Sequence, residues 1–377
     1  MCYFRTMAQT AKSWRELGSR LADARKVARL SQAELAAAVR LDRTAITKIE
    51  AGERKLDSLE LARIATVLKR PIDWFLAAPL PVVASRRRSR EPVDESQADA
   101  LLESLARDVK LLFELELLEP PTPARPVVID SVVSAEAAAR DLRKRLALPP
   151  GPVWDLLAVV ERAGLFGFCL DLRDESLDGS YLRLDPGGVA VVNGMAQSGR
   201  RRFTLVHELG HHVFADDFSA EWIVGSDGED RERLINAFVI HFLMPRESLL
   251  SRWQVLDGRA DPRSAAIALG AEYGVSWTAV LVHLRNLELI DARVHERLER
   301  VRPTKADYLE GGVTLHEELA PPAVPPRFAQ AVIRAFKRHK ISRGRALELL
   351  HGAATAEDLP AEDRVPLESM RAQFDLD

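Results

Sequence analysis

The chain has 377 residues, enough for two or three domains, and its 47% hydrophobic and 29% charged residues make an ordinary globular composition. Cys2 and Cys169 exclude a disulfide framework. No uncharged stretch approaches the ~20 residues of a membrane helix and no apolar signal core stands near the N-terminus, so the expectation is a cytoplasmic protein with no membrane association. The net charge of −3 hides an asymmetry, because residues 1–90 carry 19 Lys and Arg against 9 Asp and Glu while the rest carry 34 against 47. A basic head on an acidic body is expected where only the head meets phosphate.

The head, residues 13–78, contains two short amphipathic helices joined by a tight turn, between Leu30 and Gly52. Ser31 with Glu34 forms a capping box, Asp42 is placed to cap the second helix and Gly52 to end it. Leu35, Val39, Leu41, Ile46 and Ile49 have the spacing of a small shared core. Arg43, Thr44, Thr47 and Lys48 are left facing outward, a cationic and hydroxyl face suited to the major groove of double-stranded DNA, with Gln32 of the first helix beside them. This stretch resembles a helix-turn-helix of the Xre/Cro type, flanked by helices near 14–28, 58–67 and 71–77. It departs from that type at Arg40, where glycine is usual. A left-handed arginine there costs roughly 1 kcal/mol.

Residues 79–130 read as a linker holding a helix near 95–118, with Leu101, Leu102, Leu105, Val109, Leu112 and Leu115 at helical spacing; it packs on a neighbour or pairs with a second copy as a homodimer. Arg86 to Arg90 lie in the Pro-bearing part of that linker. A helix near 134–146 and another ending near Gly164 follow. Phe166–Leu170, Ser180–Leu184 and Gly188–Val192 are strand-like and separated by Asp/Gly turns.

Residues 207–211 read His-Glu-Leu-Gly-His. Two histidines four apart project from one helix face and can reach one Zn²⁺, while Glu208 is angled toward the open position as general base. Thr204 is placed to cap this helix, and Phe203, Leu205, Val206, Leu209, Val213 and Phe214 would bury it. A catalytic zinc takes three protein ligands. After a polar stretch, the helical pattern from Glu229 to Met244 offers Glu232 as the third, with Glu229 and Asp230 as fallbacks. Asn236, one turn on, is placed to accept a ring N–H from a zinc histidine and fix its tautomer. Pro245 stops the helix.

Arg202-Phe-Thr-Leu-Val-His-Glu-Leu-Gly-His211, Glu232-Arg-Leu-Ile-Asn236 and Phe242-Leu-Met-Pro245 together resemble the ImmA/IrrE family of bacterial zinc metallopeptidases. That resemblance implies a gluzincin-like core over 131–260 with a helical extension over 261–302. It implies one Zn²⁺ per chain on His207, His211 and Glu232, with Glu208 as base. It also implies an edge strand beside the zinc helix to which substrate backbone adds, for which Val189, Val191 and Asn193 are the candidates. The second acidic residue that family members often carry two before the asparagine is Leu234 here. Tyr181, Tyr273, His241 and His283 are candidate oxyanion stabilisers, but core or surface roles are favoured for each and none is assigned.

From 261 the chain is helical again, with Tyr273 to Trp277 heading a helix that runs to about Leu287. Phe328–His339 and Ser342–Leu350 form a further helical pair within 303–377, a region without a role assigned. The expected fold is α+β and mostly helical: an all-α helix-turn-helix domain, a gluzincin-like zinc peptidase core with a small sheet, and a helical C-terminal region. The expected function is a DNA-binding transcriptional regulator carrying a zinc-dependent endopeptidase, whose protein substrate is a repressor or antitoxin. The alternatives are a regulator whose peptidase fold is a non-catalytic sensor or partner-binding module, and a zinc hydrolase acting on something other than peptide.

Overall fold

A computed structural model of the chain describes residues 13–362 apart from 29, 69, 71, 77–83, 87–95, 124–125, 173–176, 215–225 and 258–260. It divides into two units, Met1–Val82 with Pro92–Ser104, and Val83–Glu91 with Leu105–Asp377.

The first unit begins with α1 (Trp14–Val27), capped by the Ser13 hydroxyl, which accepts from the Glu16 N–H at 3.2 Å. Helix α2 (Gln32–Val39) starts in the Ser31/Glu34 capping box read from the sequence. It ends at Arg40, whose φ of 59° and ψ of 46° are left-handed, so the strain expected of a non-glycine turn is present. Helix α3 (Arg43–Glu50) has Asp42 in the capping position, but its carboxylate makes no bond to the helix. The expected Asp42 cap is therefore positional only. Helices α4 (Ser58–Val67) and α5 (Ile72–Leu76) close the unit. Leu21, Leu35, Val39, Ile46, Ile49, Ile64 and Phe75 form its dry centre, each worth roughly 1.5–3 kcal/mol of burial, while Leu41 packs half-buried at its edge. A Cβ at Gly18 would lie 2.2 Å from the Ile49 carbonyl oxygen, so glycine lets α1 lie directly on α3. Arg25 fastens the same pair of helices through Glu50, at 2.6 and 3.1 Å.

The second unit is built on a mixed sheet of β1 (Ala84–Arg86), β2 (Leu165–Leu170), β3 (Gly179–Arg183) and β4 (Gly188–Asn193), in the order β1-β3-β4-β2. β2 runs parallel to β4, and β3 is antiparallel to both β4 and β1. All of β2 and β4 is buried, as expected of strands covered on both faces. The long helix α6 (Ser96–Glu114) is built into this unit from Leu105 onward: Leu105, Ala106, Val109 and Leu112 are fully buried, and the Phe113 ring meets Phe166 edge-on at 5.7 Å. Residues assigned to a linker by sequence thus contribute to the core.

Helices α7 (Val132–Arg145) and α8 (Leu156–Arg162) precede the sheet's main strands; α9 (Ser198–Phe214) and α10 (Ser226–Leu243) follow them. Helix α9 packs on the sheet most closely over two glycines, Gly167 and Gly179. A Cβ at Gly179 would come within 2.6 Å of the Thr204 methyl carbon and 3.2 Å of Glu208 Oε1. Helix α9 begins six residues before Thr204, which is buried inside it, so the expected Thr204 cap is wrong. The polar run Ser198–Arg201 hides the first turn of the helix because Arg201 is buried and Arg200 pairs with Asp178 at 2.6 Å.

Helices α11 (Arg246–Asp257), α12 (Pro262–Glu272), α13 (Trp277–Asn286), α14 (Ala292–Glu299) and α15 (Lys305–Glu310) form the helical extension, with Ser276 capping α13. No single described helix is long and apolar enough to cross a membrane. α12 and α13, which pass that test only as a pair, are bent by 114° and belong to the core. The last pair, α16 (Pro326–Lys337) and α17 (Arg343–Leu349), matches the helices read from the sequence. The chain before them closes the outer edge of β2, where Cys169 and Ala323 exchange backbone bonds of 2.8 and 2.9 Å.

Candidate metal centre and DNA-facing helix

Helix α9 presents His207 and His211 on consecutive turns, 1% exposed each, with Glu208 fully buried between them. Helix α10 crosses them and brings up Glu232, whose side chain stays 42% exposed. The two Nε2 atoms are 3.1 Å apart, and the Glu232 carboxylate oxygens lie 3.3 Å from His207 Nε2 and 3.5 Å from His211 Nε2. A tetrahedral zinc with bonds of 2.0–2.1 Å has ligand-to-ligand edges of about 3.3–3.4 Å. These separations lie close to that value, the two carboxylate distances being to different oxygens of Glu232; one donor atom from each residue lies within 4.8 Å of the others, and two imidazoles with one carboxylate is a donor set of the catalytic kind. The fallback Asp230 points to solvent beside Arg233, at 3.3 Å, and the side chain of Glu229 lies outside the described residues. Asn236 is half-buried one turn beyond Glu232 on the same helix.

Several groups that the sequence left unexplained hold this arrangement in place. Arg202, fully buried in α9, donates to the carbonyls of Gly274 (2.9 Å), Val153 (2.6 Å) and Tyr273 (3.3 Å), pairs with Glu318, and lies 4.6 Å over the Trp154 ring. Burial lowers its guanidinium to about 10. Arg143 does the same for the end of α10, donating to the Phe242 carbonyl at 2.6 Å. Only the position of Arg202 within the motif hinted at any of this. A buried arginine inside a run of basic residues carries no local signal for a tertiary tie.

The groups weighed as oxyanion stabilisers are committed to packing. The Tyr181 hydroxyl meets His212 Nδ1 at 3.1 Å, and burial drops His212 to about 4. Tyr273 bonds Ser248 at 2.6 Å, His283 donates to the Met244 carbonyl at 3.0 Å, and His241 sits 3.5 Å from Glu136.

The proposed substrate strand requires a correction. β4 lies between β3 and β2, so Val189, Val191 and Asn193 present no free backbone edge. Asn193 instead ties a turn, donating to the Leu177 carbonyl at 2.9 Å and accepting from the Met195 N–H at 3.1 Å. Alternating hydrophobicity marks a strand, but strand order depends on pairings that are remote in sequence.

In the first unit, Arg43, Thr44, Thr47 and Lys48 are all exposed on α3, while Ile46 and Ile49 of the same helix are buried. Gln32 is half-buried and bridges α2 to α3, donating to Glu50 at 2.8 Å and accepting from the Thr47 hydroxyl at 3.0 Å. It holds the two helices in register at the edge of the exposed face.

Residues 161–285 match the family model described as the IrrE N-terminal-like domain of the M78 peptidases, and residues 21–75 match a helix-turn-helix model. The chain is similar to the radiation response metalloprotease IrrE of Deinococcus radiodurans, 29% identical over 170 residues that cover 41% of this chain and 50% of the relative. It thus spans about half the length of that curated relative. Among solved structures, a crystal structure of Bacillus thuringiensis PlcR with the peptide PapR7 and DNA matches at 10% identity. That match covers 96% of this chain and 98% of the other, but its TM-score of 0.18 is too low to support a structural argument. The matched spans and the described elements agree on an architecture in which a helix-turn-helix domain is followed, in one polypeptide, by an ImmA/IrrE-type metallopeptidase domain.

Proposed function

We propose that this chain is a DNA-binding transcriptional regulator whose second unit is a zinc-dependent endopeptidase, cutting a peptide bond in a regulatory protein such as a repressor or antitoxin. The observation that carries this reading is the triangle of His207, His211 and Glu232, with edges of 3.1 to 3.5 Å, closed by two helices beside a fully buried Glu208. His207, His211 and Glu232 would hold one zinc, which would supply a lowered pKa for the attacking water and polarisation of a substrate carbonyl. Glu208 accepts the proton of the attacking water and returns it to the leaving amine. Its burial on α9 against Gly179 keeps the carboxylate directed into the site rather than toward solvent. Asn236 orients a ligand histidine by accepting its ring N–H. In the head, Arg43, Thr44, Thr47 and Lys48 enter the major groove, positioned by Gln32.

The test is to incubate the zinc-loaded full chain with repressors encoded nearby and to compare fragments by mass spectrometry with those from Glu208→Gln. Fragments are expected from the wild type alone. If neither form cuts any of them and Glu208→Gln leaves regulation intact in cells, the enzyme reading fails. The second unit is then a non-catalytic sensor or partner-binding module.

A further inference from the structure

Both edges of the sheet are covered by segments distant in sequence, and the two covers differ in how firmly they are held. On the β2 side, the chain around Ala323 is fastened at many points. Ser198 Oγ and the Glu318 backbone exchange bonds of 3.1 and 3.2 Å, Arg201 donates to the Glu318 carbonyl at 3.0 Å, and the Glu161 carboxylate accepts the N–H groups of Arg327 and Phe328 at 2.9 and 3.0 Å. On the β3 side, the cover is the three-residue strand β1, paired as Ala84 with Leu182, Ser85 with Tyr181 and Arg86 with Ser180. Residues Val83–Glu91 group with the second unit although Met1–Val82 and Pro92–Ser104, on either side of them in the chain, group with the first.

β3 is also the strand that passes the candidate catalytic carboxylate, since its first residue, Gly179, is the one whose Cβ would lie 3.2 Å from Glu208 Oε1. The antiparallel register places Arg86 opposite Ser180, so β1 runs toward that end of β3. The backbone edge of a strand beside a peptidase site is a template for an extended peptide, recognised through main-chain bonds that do not depend on side chains.

The substrate-binding edge strand that the family resemblance implies corresponds here to β3, and we infer that Ala84–Arg86 hold the outer edge of β3 in cis as an intramolecular competitor. The inference rests on the peptidase reading above for the identity of the displaced ligand. The occupant is a short ladder, weak by itself, but tethering gives it an effective concentration of about the mM range, which a peptide in trans must overcome. A peptide bound by the protein must first displace residues of the segment that leads from the DNA-binding unit.

The test uses the full chain in a Glu208→Gln background, with and without the paired substitution Ala84→Pro and Ser85→Pro. Successive residues of an antiparallel strand point their N–H groups in opposite directions, so two adjacent prolines remove the one that faces β3. Hydrogen exchange read by mass spectrometry should show those amides among residues 180–182 that face β1 exchanging at least tenfold faster in the proline variant. Those of β2 and β4 should remain protected, which also shows that the sheet is folded. A fluorescent peptide of residues 81–91 should bind the proline variant at least tenfold more tightly than the unaltered chain. Equal exchange at 180–182, or equal peptide binding, overturns the inference. With Glu208 restored and zinc added, cleavage of that peptide should rise in the proline variant. If exchange and binding change as expected but neither form cuts the peptide, the occupied edge stands and the peptidase reading falls.

Discussion

On α3, the side chains we propose for DNA contact are exposed while the isoleucines between them are buried; on α9 the arrangement inverts, with His207, Glu208 and His211 no more than 1% exposed. The same amphipathic periodicity therefore serves two designs. A recognition helix turns its chemistry outward and can be altered with little effect on the fold. A metal helix turns its chemistry into the protein, where each side chain is also a packing element, so isosteric substitutions are the ones that separate chemistry from folding.

The sharpest way to break that comparison is Glu208→Gln, which preserves shape while removing the base. We expect a 10²- to 10⁴-fold loss of turnover, about the contribution of a positioned general base, with operator affinity unchanged in a fluorescence binding assay. An equal loss of DNA binding would show that the two sites are not independent. Next in size is Glu232→Ala, which removes one corner of the donor triangle. Zinc affinity, measured by competition with a chelator, should fall by more than ~100-fold, exceeding the effect of losing an outer hydrogen bond to a ligand.

A pH experiment probes the buried region through a group outside the metal triangle. Burial draws His283 down to about 3, with His241 adding to the shift; the bond to the Met244 carbonyl opposes it, Arg246 adds a smaller push downward and Glu136 the least, upward. Because the folded pKa lies below the unfolded value of ~6.5, the neutral ring's contribution is fully present above that pH and is lost as pH falls toward 3. Thermal melts of the second unit should therefore weaken over that window. His283→Gln, which keeps a donor for the Met244 carbonyl, should flatten the slope. An unchanged slope would remove His283 as the cause.

The head gives smaller and more selective effects. Lys48→Ala and Arg43→Ala should each cost ~1–3 kcal/mol on the preferred operator and less on random duplex, with overall affinity falling as salt rises. Equal losses on both duplexes would move the base-reading face off α3. Smallest of all, Arg40→Gly should stabilise the first unit by ~1 kcal/mol in calorimetry, since glycine adopts the left-handed φ of 59° without the Cβ clash.

Elements whose signal is local were legible from the sequence. The capping box at Ser31 and Glu34, the outward face of α3, the four-residue spacing of His207 and His211, and the C-terminal helix pair all follow from periodicity within one helix, and the structure has each of them. The start of α9 was not legible. Arg201 and Arg202 look like solvent-facing residues until the carbonyls of Gly194, Gly274 and Val153 are brought to them. The linker assignment of α6 leaves out its tertiary role for the same reason, since an apolar stripe does not say what it packs against.

Sequence by itself determined which side chains share a helix face, because 3.6 residues per turn is a property of the backbone alone. It therefore determined that two imidazoles and a carboxylate stand together on α9 and that a second acidic helix follows. Only the tertiary structure decided that Glu232 closes the triangle, that β4 is an inner strand, and that Ala84–Arg86 lie along β3. Those outcomes depend on which backbone donors and acceptors meet across long stretches of chain. That choice is set by packing of the whole core, and no window of sequence contains it.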